Sequence, residues 1–420
     1  MSDSRKHVVI VGGGFGGLWA TRALANADVR ITLIDRRNHH LFQPLLYQVA
    51  TAGLSAPDIA APLRHILRKQ ANVEVRLGEV VALDAGARRL RLADGEAIGY
   101  DYLLLASGAT HAYFGHDEWA ANAPGLKTLD DALLIRRRVL LAFERAEAAQ
   151  TEAERASWLH FAVVGGGPTG VELAGTLAEI ARHTLRREFR RIDPAQARVR
   201  LIEAGPRVLA NFPESLSAKA RAQLERLGVE VVTGTPVAAI DGDGYRLGEE
   251  TVAARTVLWA AGVAASPLGA MLDAPRDRAG RVQVQPDLSV PGHPEIFVAG
   301  DLASLQQANG QPVPGVAPAA KQMGGYVARA IRARLRGETI APFGYVDYGN
   351  LATIGRRAAV VDLRGLRFSG FMAWAFWLAA HVFFLIGFRN RLLVMLNWSW
   401  AYFTYQRHAR IIFGGKPDPS

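Results

Sequence analysis

The chain has 420 residues, with 49 Lys and Arg against 39 Asp and Glu, a formal net charge of +10, 50% hydrophobic residues, 42 glycines and no cysteine. That length suffices for two or three domains with sizeable cores, and the composition is that of an α/β enzyme, not of a disordered chain. Without a thiol, redox chemistry through a Cys pair, a sulfenic acid, an iron–sulfur cluster or Cys-ligated zinc is excluded, and scattered basic residues with no nucleic-acid module exclude nucleic acid as a partner.

The first apolar run starts at His7 with no signal peptide before it, so the body of the protein is expected to face the cytoplasm. Residues 7–17 (HVVIVGGGFGG) read as a strand, a glycine turn and the start of a helix, the context in which G-x-G-x-x-G marks a dinucleotide site. Gly12 permits the tight turn, Gly14 lets backbone approach a pyrophosphate, and Gly17 lets the helix pack on the strand. The strand at residues 29–35 (VRITLID) ends in Asp35, placed to accept a hydrogen bond from a ribose hydroxyl.

A second turn follows about 150 residues later, at residues 161–170 (FAVVGGGPTG), where Gly165, Gly167 and Gly170 repeat the three roles. Its strand at residues 199–203 (VRLIE) ends in Glu203, beyond a basic insert around residues 182–198 that nearly doubles the usual gap. A carboxylate there disfavours a 2′-phosphate, which predicts NADH over NADPH. Two such turns suggest two nucleotides held face to face, one nicotinamide and one flavin. The 11 histidines, with His39 and His40 adjacent and His111 and His116 in an expected loop, form no metal pattern, and no metal is expected.

Near the end, residues 371–388 (FMAWAFWLAAHVFFLIGF) are apolar apart from His381. A basic turn at Arg389, Asn390 and Arg391 leads to a second aromatic stretch at residues 392–405, closed by Arg407 and Arg410. Trp374, Trp377, Trp398 and Trp400 are half of the chain's tryptophans, and Trp and Tyr beside Arg suit a membrane interface. A covered core helix and a transmembrane hairpin are alternatives, but in-plane or shallowly inserted helices fit the interrupted second stretch best. Arg356, Arg357, Arg364 and Arg367, just upstream, would favour an anionic lipid surface.

The segment 295–303 (EIFVAGDLA), with residues 100–110 (YDYLLLASGAT) and 256–263 (TVLWAAGV), resembles the two-dinucleotide-fold flavoprotein reductases. The resemblance implies that the first turn and the late Gly300-Asp301 hold FAD and that the second turn holds NADH. The missing cysteines exclude that superfamily's disulfide reductases, thiol peroxidases and sulfide:quinone oxidoreductases. Residues 41–54 (LFQPLLYQVATAGL), 165–175 (GGGPTGVELAG), 351–360 (LATIGRRAAV) and 387–391 (GFRNR) narrow the likeness. Over nearly its whole length the chain resembles the type II NADH dehydrogenases, single-subunit, non-pumping NADH:quinone oxidoreductases.

That resemblance implies an α/β fold of two Rossmann-like domains followed by membrane-associating C-terminal helices. The expected layout is an FAD domain at 1–118 and 287–366, an NADH domain at 119–286 and the helices at 367–420. It implies one non-covalent FAD held by Gly12, Gly14, Phe15, Gly16, Gly17, Asp35, Arg36, Gln43, Val81, Ser107, Gly108, Gly300, Asp301 and Ala319. NADH, the substrate, would lie on Gly165, Gly166, Gly167, Pro168, Thr169, Gly170, Glu172, Glu203, Ala261 and Gly262. A membrane quinone would meet Ala317, Pro318 and Gln322, with Glu172, Lys321 and Gln322 as the catalytic set. Residues 317–322 read APAAKQ where the family motif is A-Q-x-A-x-Q, so Pro318 replaces the first glutamine. Hydride would pass from NADH to flavin N5 and two electrons on to quinone, with Glu172 carrying a proton. The resemblance also implies peripheral attachment to the cytoplasmic face of the cell membrane and a homodimer. A soluble NAD(P)H:ferredoxin-type reductase and an NADH-responsive redox sensor remain as alternative readings.

Overall fold

The computed structural model describes residues 5–407 and 409–412 and divides into two compact units. The first comprises the described residues of Met1–Leu41, Ala60–Thr110 and Val263–Tyr348; the second comprises those of Phe42–Ile59, His111–Gly262 and Gly349–Ser420. This differs from the expected breaks at 118, 286 and 366. Residues 42–59, 111–118 and 349–366 belong to the second unit and 263–286 to the first; 42–59 and 349–366 go with the second because the helix Pro168–Glu179 packs against both. The short helix Leu46–Ala50 lies on that helix and on Leu129–Ala148, and the strand Asn350–Gly355 runs along it. At Gly175 a Cβ would collide with the Ile354 carbonyl, so only glycine allows the strand so close. Residues 1–4, 408 and 413–420, which the expected first and last segments include, lie outside the described residues.

The first unit is built on a six-stranded sheet in the order Ser289–Val290, His293–Val298, Tyr102–Leu105, Lys6–Val11, Val29–Asp35, Val73–Leu77. All pairs are parallel except the edge Ser289–Val290, and the central register sets Ile10 opposite Leu33 and Leu104. Val8, Val9 and Ile10 are fully buried, which is why this strand is an unbroken apolar run without alternation. The helices Phe15–Ala23 and Ala317–Leu335 pack together, and a Cβ at Gly324 would strike the Gly16 carbonyl.

The second unit repeats the scheme with four parallel strands in the order Val229–Thr233, Arg198–Glu203, His160–Val164, Thr256–Trp259. In each unit a three-stranded antiparallel meander, Val80–Gly99 or Val237–Ala253, precedes the strand on the far side of the first. The basic insert is absorbed by a π-helical turn Ile180–Thr184 and a 3-10 turn Pro194–Gln196, so Arg198–Glu203 still pairs beside His160–Val164.

The C-terminal part of the second unit is a three-stranded antiparallel sheet, Asn350–Gly355, Ala358–Leu363 and Leu366–Ser369, with Phe371–Phe384 packed on it through buried Ala373. The 18-residue apolar run is not one helix. It breaks at Leu385, which is extended, and Gly387, at φ +91°, and a second helix runs Phe388–Thr404. Arg389, Asn390 and Arg391, expected as the turn, therefore form the first turn of that helix, because the glycine upstream tolerates positive φ and they do not need to. At 14 and 17 residues the helices are about 21 and 26 Å long, and among the described residues none is long and apolar enough to cross a membrane.

Candidate functional site: two glycine turns, a buried carboxyl and an aromatic face

The two glycine turns are built alike. Gly12 and Gly165 take φ of +106° and +111°, and a Cβ at Gly165 would lie 2.5 Å from the Ala261 nitrogen, while one at Gly12 would strike Ala106. A Cβ on Gly17 would collide with the Gly12 carbonyl, and one on Gly170 with the Gly165 carbonyl, so both glycines set helix on strand. Gly14 and Gly167 differ from all of these, since a Cβ there meets nothing within 4 Å. Each is the N-cap of its helix without a side-chain cap, so amide donors face open space on the side where a diphosphate fits. Phe15 starts the first helix with Gly16 behind it; Pro168, at the first position of the second, gives up an N–H that had no helical partner, and Thr169 follows it.

The two acids are also equivalent. Asp35 accepts the Gly13 N–H at 2.6 Å and the Arg37 N–H at 2.7 Å; Glu203 accepts the Gly166 and Gly205 N–H groups, both at 2.6 Å. Each carboxylate thus ties its strand end to the middle of its glycine turn and keeps further lone pairs for a ribose. Arg36 is exposed and reaches Glu79 at 3.9 Å.

The first unit carries further features that fit a flavin dinucleotide. The Ser107 hydroxyl is buried without a hydrogen-bond partner among the described residues, and Gly108 beside it takes φ +71°. Asp301, in the turn Gly300–Leu302, accepts no hydrogen bond from the described residues and faces Gly315. Gly300 donates its N–H to Met323 Sδ at 3.2 Å. Buried His40 donates from Nδ1 to the Gly13 carbonyl at 2.9 Å, which fixes the tautomer, and burial holds its pKa at about 4. Its Nε2 has no partner among the described residues. Val81 sits exposed on the meander strand Val80–Asp84. Gln43, expected with the FAD set, belongs to the second unit, where its amide reaches the Lys127 carbonyl at 3.5 Å.

The helix Ala317–Leu335 begins with Pro318 in its first turn, where the missing N–H costs nothing; this accounts physically for proline in place of glutamine. Ala319 is buried against the helix interface. Lys321 lies over the Trp19 ring at 4.5 Å, and burial lowers its pKa. Both ends of the Gln322 amide are engaged by Val346, donating to its carbonyl and accepting its N–H at 2.9 Å each. Gln322 therefore fastens the segment around Val346.

In the second unit Glu172 is the fifth residue of Pro168–Glu179, deeper than the helix mouth. Its carboxyl meets the Thr353 backbone, and burial pushes its pKa well above the ordinary carboxylate range. Ala261 and Gly262 lie just past the strand Thr256–Trp259, Ala261 exposed. Sequence reasoning missed the residues around Glu172. Tyr47 is buried, its pKa raised by burial and by the Glu172 charge; its hydroxyl accepts from Gln48 Nε2 at 2.9 Å, and Gln48 Oε1 accepts the Trp398 Nε1–H at 2.7 Å. Arg407 is paired with Glu179 at 3.3 Å and donates to the Thr51 carbonyl, and Arg410 pairs with Glu188. The terminal helices are thereby latched to the nucleotide-fold helix by polar contacts, while Met372, Phe383, Trp400 and Phe403 remain exposed. Among the described residues no cluster of three or more His, Cys, Asp or Glu is arranged to hold a metal.

The pyridine nucleotide-disulphide oxidoreductase family model matches residues 6–324, and the NDH2 C-terminal domain model matches residues 348–407. The type II NADH:quinone oxidoreductase Ndh of Mycobacterium tuberculosis is 46% identical over 421 residues, spanning 96% of this chain and 89% of that protein. NdhA of the same organism, also a type II NADH:quinone oxidoreductase, is 47% identical over 94% of this chain and 87% of its own length. The structure of NDH2 from Plasmodium falciparum in complex with NADH shares the fold at a TM-score of 0.89 with 20% identity, covering 98% of this chain and 100% of that one.

Proposed function

This chain belongs to the type II NADH:quinone oxidoreductases, and on that premise we propose that it oxidises NADH at the second glycine turn and reduces a membrane quinone by way of FAD held at the first. The observation that carries the reading is the pair of turns, each with an open side at Gly14 or Gly167 and an acid pinned to its middle glycine. Bound FAD supplies a relay that takes hydride from NADH and gives two electrons to quinone without proton pumping.

The chain's own residues bind, orient and hold protons. Gly12 to Gly17 and Asp35 cradle the adenosine diphosphate half of FAD, while the buried Ser107 hydroxyl, unpaired among the described residues, and the half-buried Asp301 carboxylate offer it polar groups. Gly165 to Gly170 and Glu203 do the same for NADH, with the Glu203 carboxylate opposing a 2′-phosphate. Glu172, whose pKa burial raises well above the ordinary carboxylate range, holds a proton within the second turn of its helix for quinol formation. Ala317 to Gln322 line the quinone approach, Gln322 by fixing the Val346 segment and Lys321 as a desolvated cation. The exposed aromatic face of the terminal helices rests on lipid at the cytoplasmic side, helped by the basic residues upstream. The enzyme works as a peripheral membrane protein and as a homodimer.

The test is an anaerobic titration of the detergent-held protein. NADH should bleach the flavin spectrum faster than NADPH does, and a short-chain quinone should restore it. Bleaching without recovery would move the acceptor to a protein partner and sink the quinone reading.

A further inference from the structure

The segment that follows Tyr102–Leu105 holds, in a tight turn closed by the His116 N–H on the Tyr113 carbonyl, a residue whose type that turn does not explain. Phe114 takes φ +54°, a left-handed conformation costly for a bulky side chain, and leaves its ring 69% exposed. The neighbouring Tyr113 is buried, stacked on Trp259 at 5.1 Å with its hydroxyl on the Ala123 carbonyl. Two hydrogen bonds anchor the segment to the end of Thr256–Trp259: Ala112 N–H to the Gly262 carbonyl at 3.2 Å, and Trp259 Nε1–H to the Ala112 carbonyl at 2.9 Å. With Tyr113 so committed, the left-handed turn directs Phe114 onto Gly262, where a Cβ would lie 2.6 Å from the ring's Cζ. The protein thus holds a strained, exposed aromatic ring against a bare stretch of backbone.

Sheet topology says what belongs there. Glu203 ends the strand on one side of His160–Val164, and Thr256–Trp259 lies on the other, so the strand order reverses between His160–Val164 and Thr256–Trp259. Dinucleotides lie across such a reversal at the carboxyl ends of the strands. With the adenosine ribose on Glu203 and the diphosphate on Gly167, the other half of the ligand must run toward Ala261 and Gly262. We propose that the Phe114 ring covers the nicotinamide riboside end of NADH and positions it. The ring is flat, large and available, and an aromatic face packs well on a dihydronicotinamide ring. The proposal rests on the reading that the second turn holds NADH.

The flavin-loaded full chain is compared with Phe114→Gly and Phe114→Asn, both residues that accept left-handed backbone, and the melting temperature of each variant is recorded to show that it is folded at the assay temperature. The readouts are kcat/KM for NADH and the inhibition constant of ADP-ribose, which lacks the nicotinamide. NADH kcat/KM should fall about fivefold or more, the size of one aromatic contact, with ADP-ribose inhibition within twofold of the parent. Equal weakening of both ligands, or no change in either, overturns the proposal. A Gly167→Val variant separates the two levels of the argument. Loss of both ligands in that variant keeps NADH at the second turn whatever Phe114 does, and retention of both removes the underlying assignment together with the proposal.

Discussion

Replacing Glu172 by Gln should flatten the pH dependence of stability. Burial raises the Glu172 pKa well above its ordinary 4.5, so the folded protein keeps a proton that the unfolded chain has released. Below about pH 4.5 both states carry the proton and the contribution is fully present. Above it, each pH unit removes about 1.4 kcal/mol of stability until the folded-state pKa is passed. Gln keeps the volume and a neutral polar head, and escapes that loss. With an unfolding entropy of about 2.1 cal/mol/K per residue, 1.4 kcal/mol in a chain of this length is about 1.5 °C. The melting temperature of the variant should therefore gain about 1.5 °C on the parent for each unit above about pH 5, until the folded-state pKa is passed. Near-UV circular dichroism of both proteins in one detergent, at half-unit pH steps, measures the gap. A gap that stays constant over that range would refute the reasoning, because the group would then titrate alike in both states. Stopped-flow on the same variant should show flavin reoxidation by quinone slowed while reduction by NADH is kept.

Gly14→Val should yield protein that folds but lacks the flavin absorbance. A Cβ at Gly14 meets no protein atom within 4 Å, and Gly14 has an ordinary φ of −72°, so the substitution displaces the ligand before the protein; full flavin content would count against the first turn as its site. Gln48→Leu removes the acceptor of the Trp398 indole and the donor to the Tyr47 hydroxyl, and should cost about 1–2 kcal/mol in denaturant unfolding. An unchanged midpoint would mean that the terminal helix is held by packing alone. Phe383 and Phe403 are 69% and 80% exposed, and changing both to Ser should weaken vesicle binding by about tenfold or more. Wild-type protein should stay bound in high salt; release by salt alone would make the attachment electrostatic and contradict insertion.

The parts of this molecule legible in its sequence are those whose cost is local. A glycine that must avoid a carbonyl four or five residues away, or an acid ending an apolar strand, leaves its mark within one short window, and both turns and both acids show it. The doubled spacing before Glu203 did not hide the strand, because an insert at a sheet's end leaves register untouched. Long-range pairings left no such mark. Trp398 and Gln48 are 350 positions apart, and Arg407 meets Glu179 across 228, so neither follows from spacing. The break at Gly387 was readable in principle, yet the apolar run across it outweighed one glycine. Phe114 was illegible because its neighbours, not its own residue type, impose the left-handed turn. The assignment of Gln43 to the first unit failed to anticipate that residues 42–59 fold onto Pro168–Glu179.

The two nucleotide folds share one device and then diverge, and on the proposed assignment of FAD to the first turn and NADH to the second, the divergence suits one ligand staying and the other leaving. Turn, open glycine and pinned acid are matched pairwise to within 0.1 Å in the acid's hydrogen bonds, 2.6 and 2.7 Å in one unit and 2.6 Å twice in the other. Identical cradles should bind a shared diphosphate with similar strength, so the difference must come from what flanks them. The first unit adds a buried hydroxyl at Ser107 and a buried imidazole at His40 that is bonded to the turn itself and whose Nε2 has no partner among the described residues. Each is a polar group that the protein leaves partly unsatisfied and a bound dinucleotide would satisfy, and emptying the site would return that cost. The second unit offers backbone at Ala261 and Gly262 and an exposed ring, contacts that release without stranding a buried polar atom. A cofactor that must persist through many turnovers belongs in the first cradle, and a substrate that must leave after each one belongs in the second.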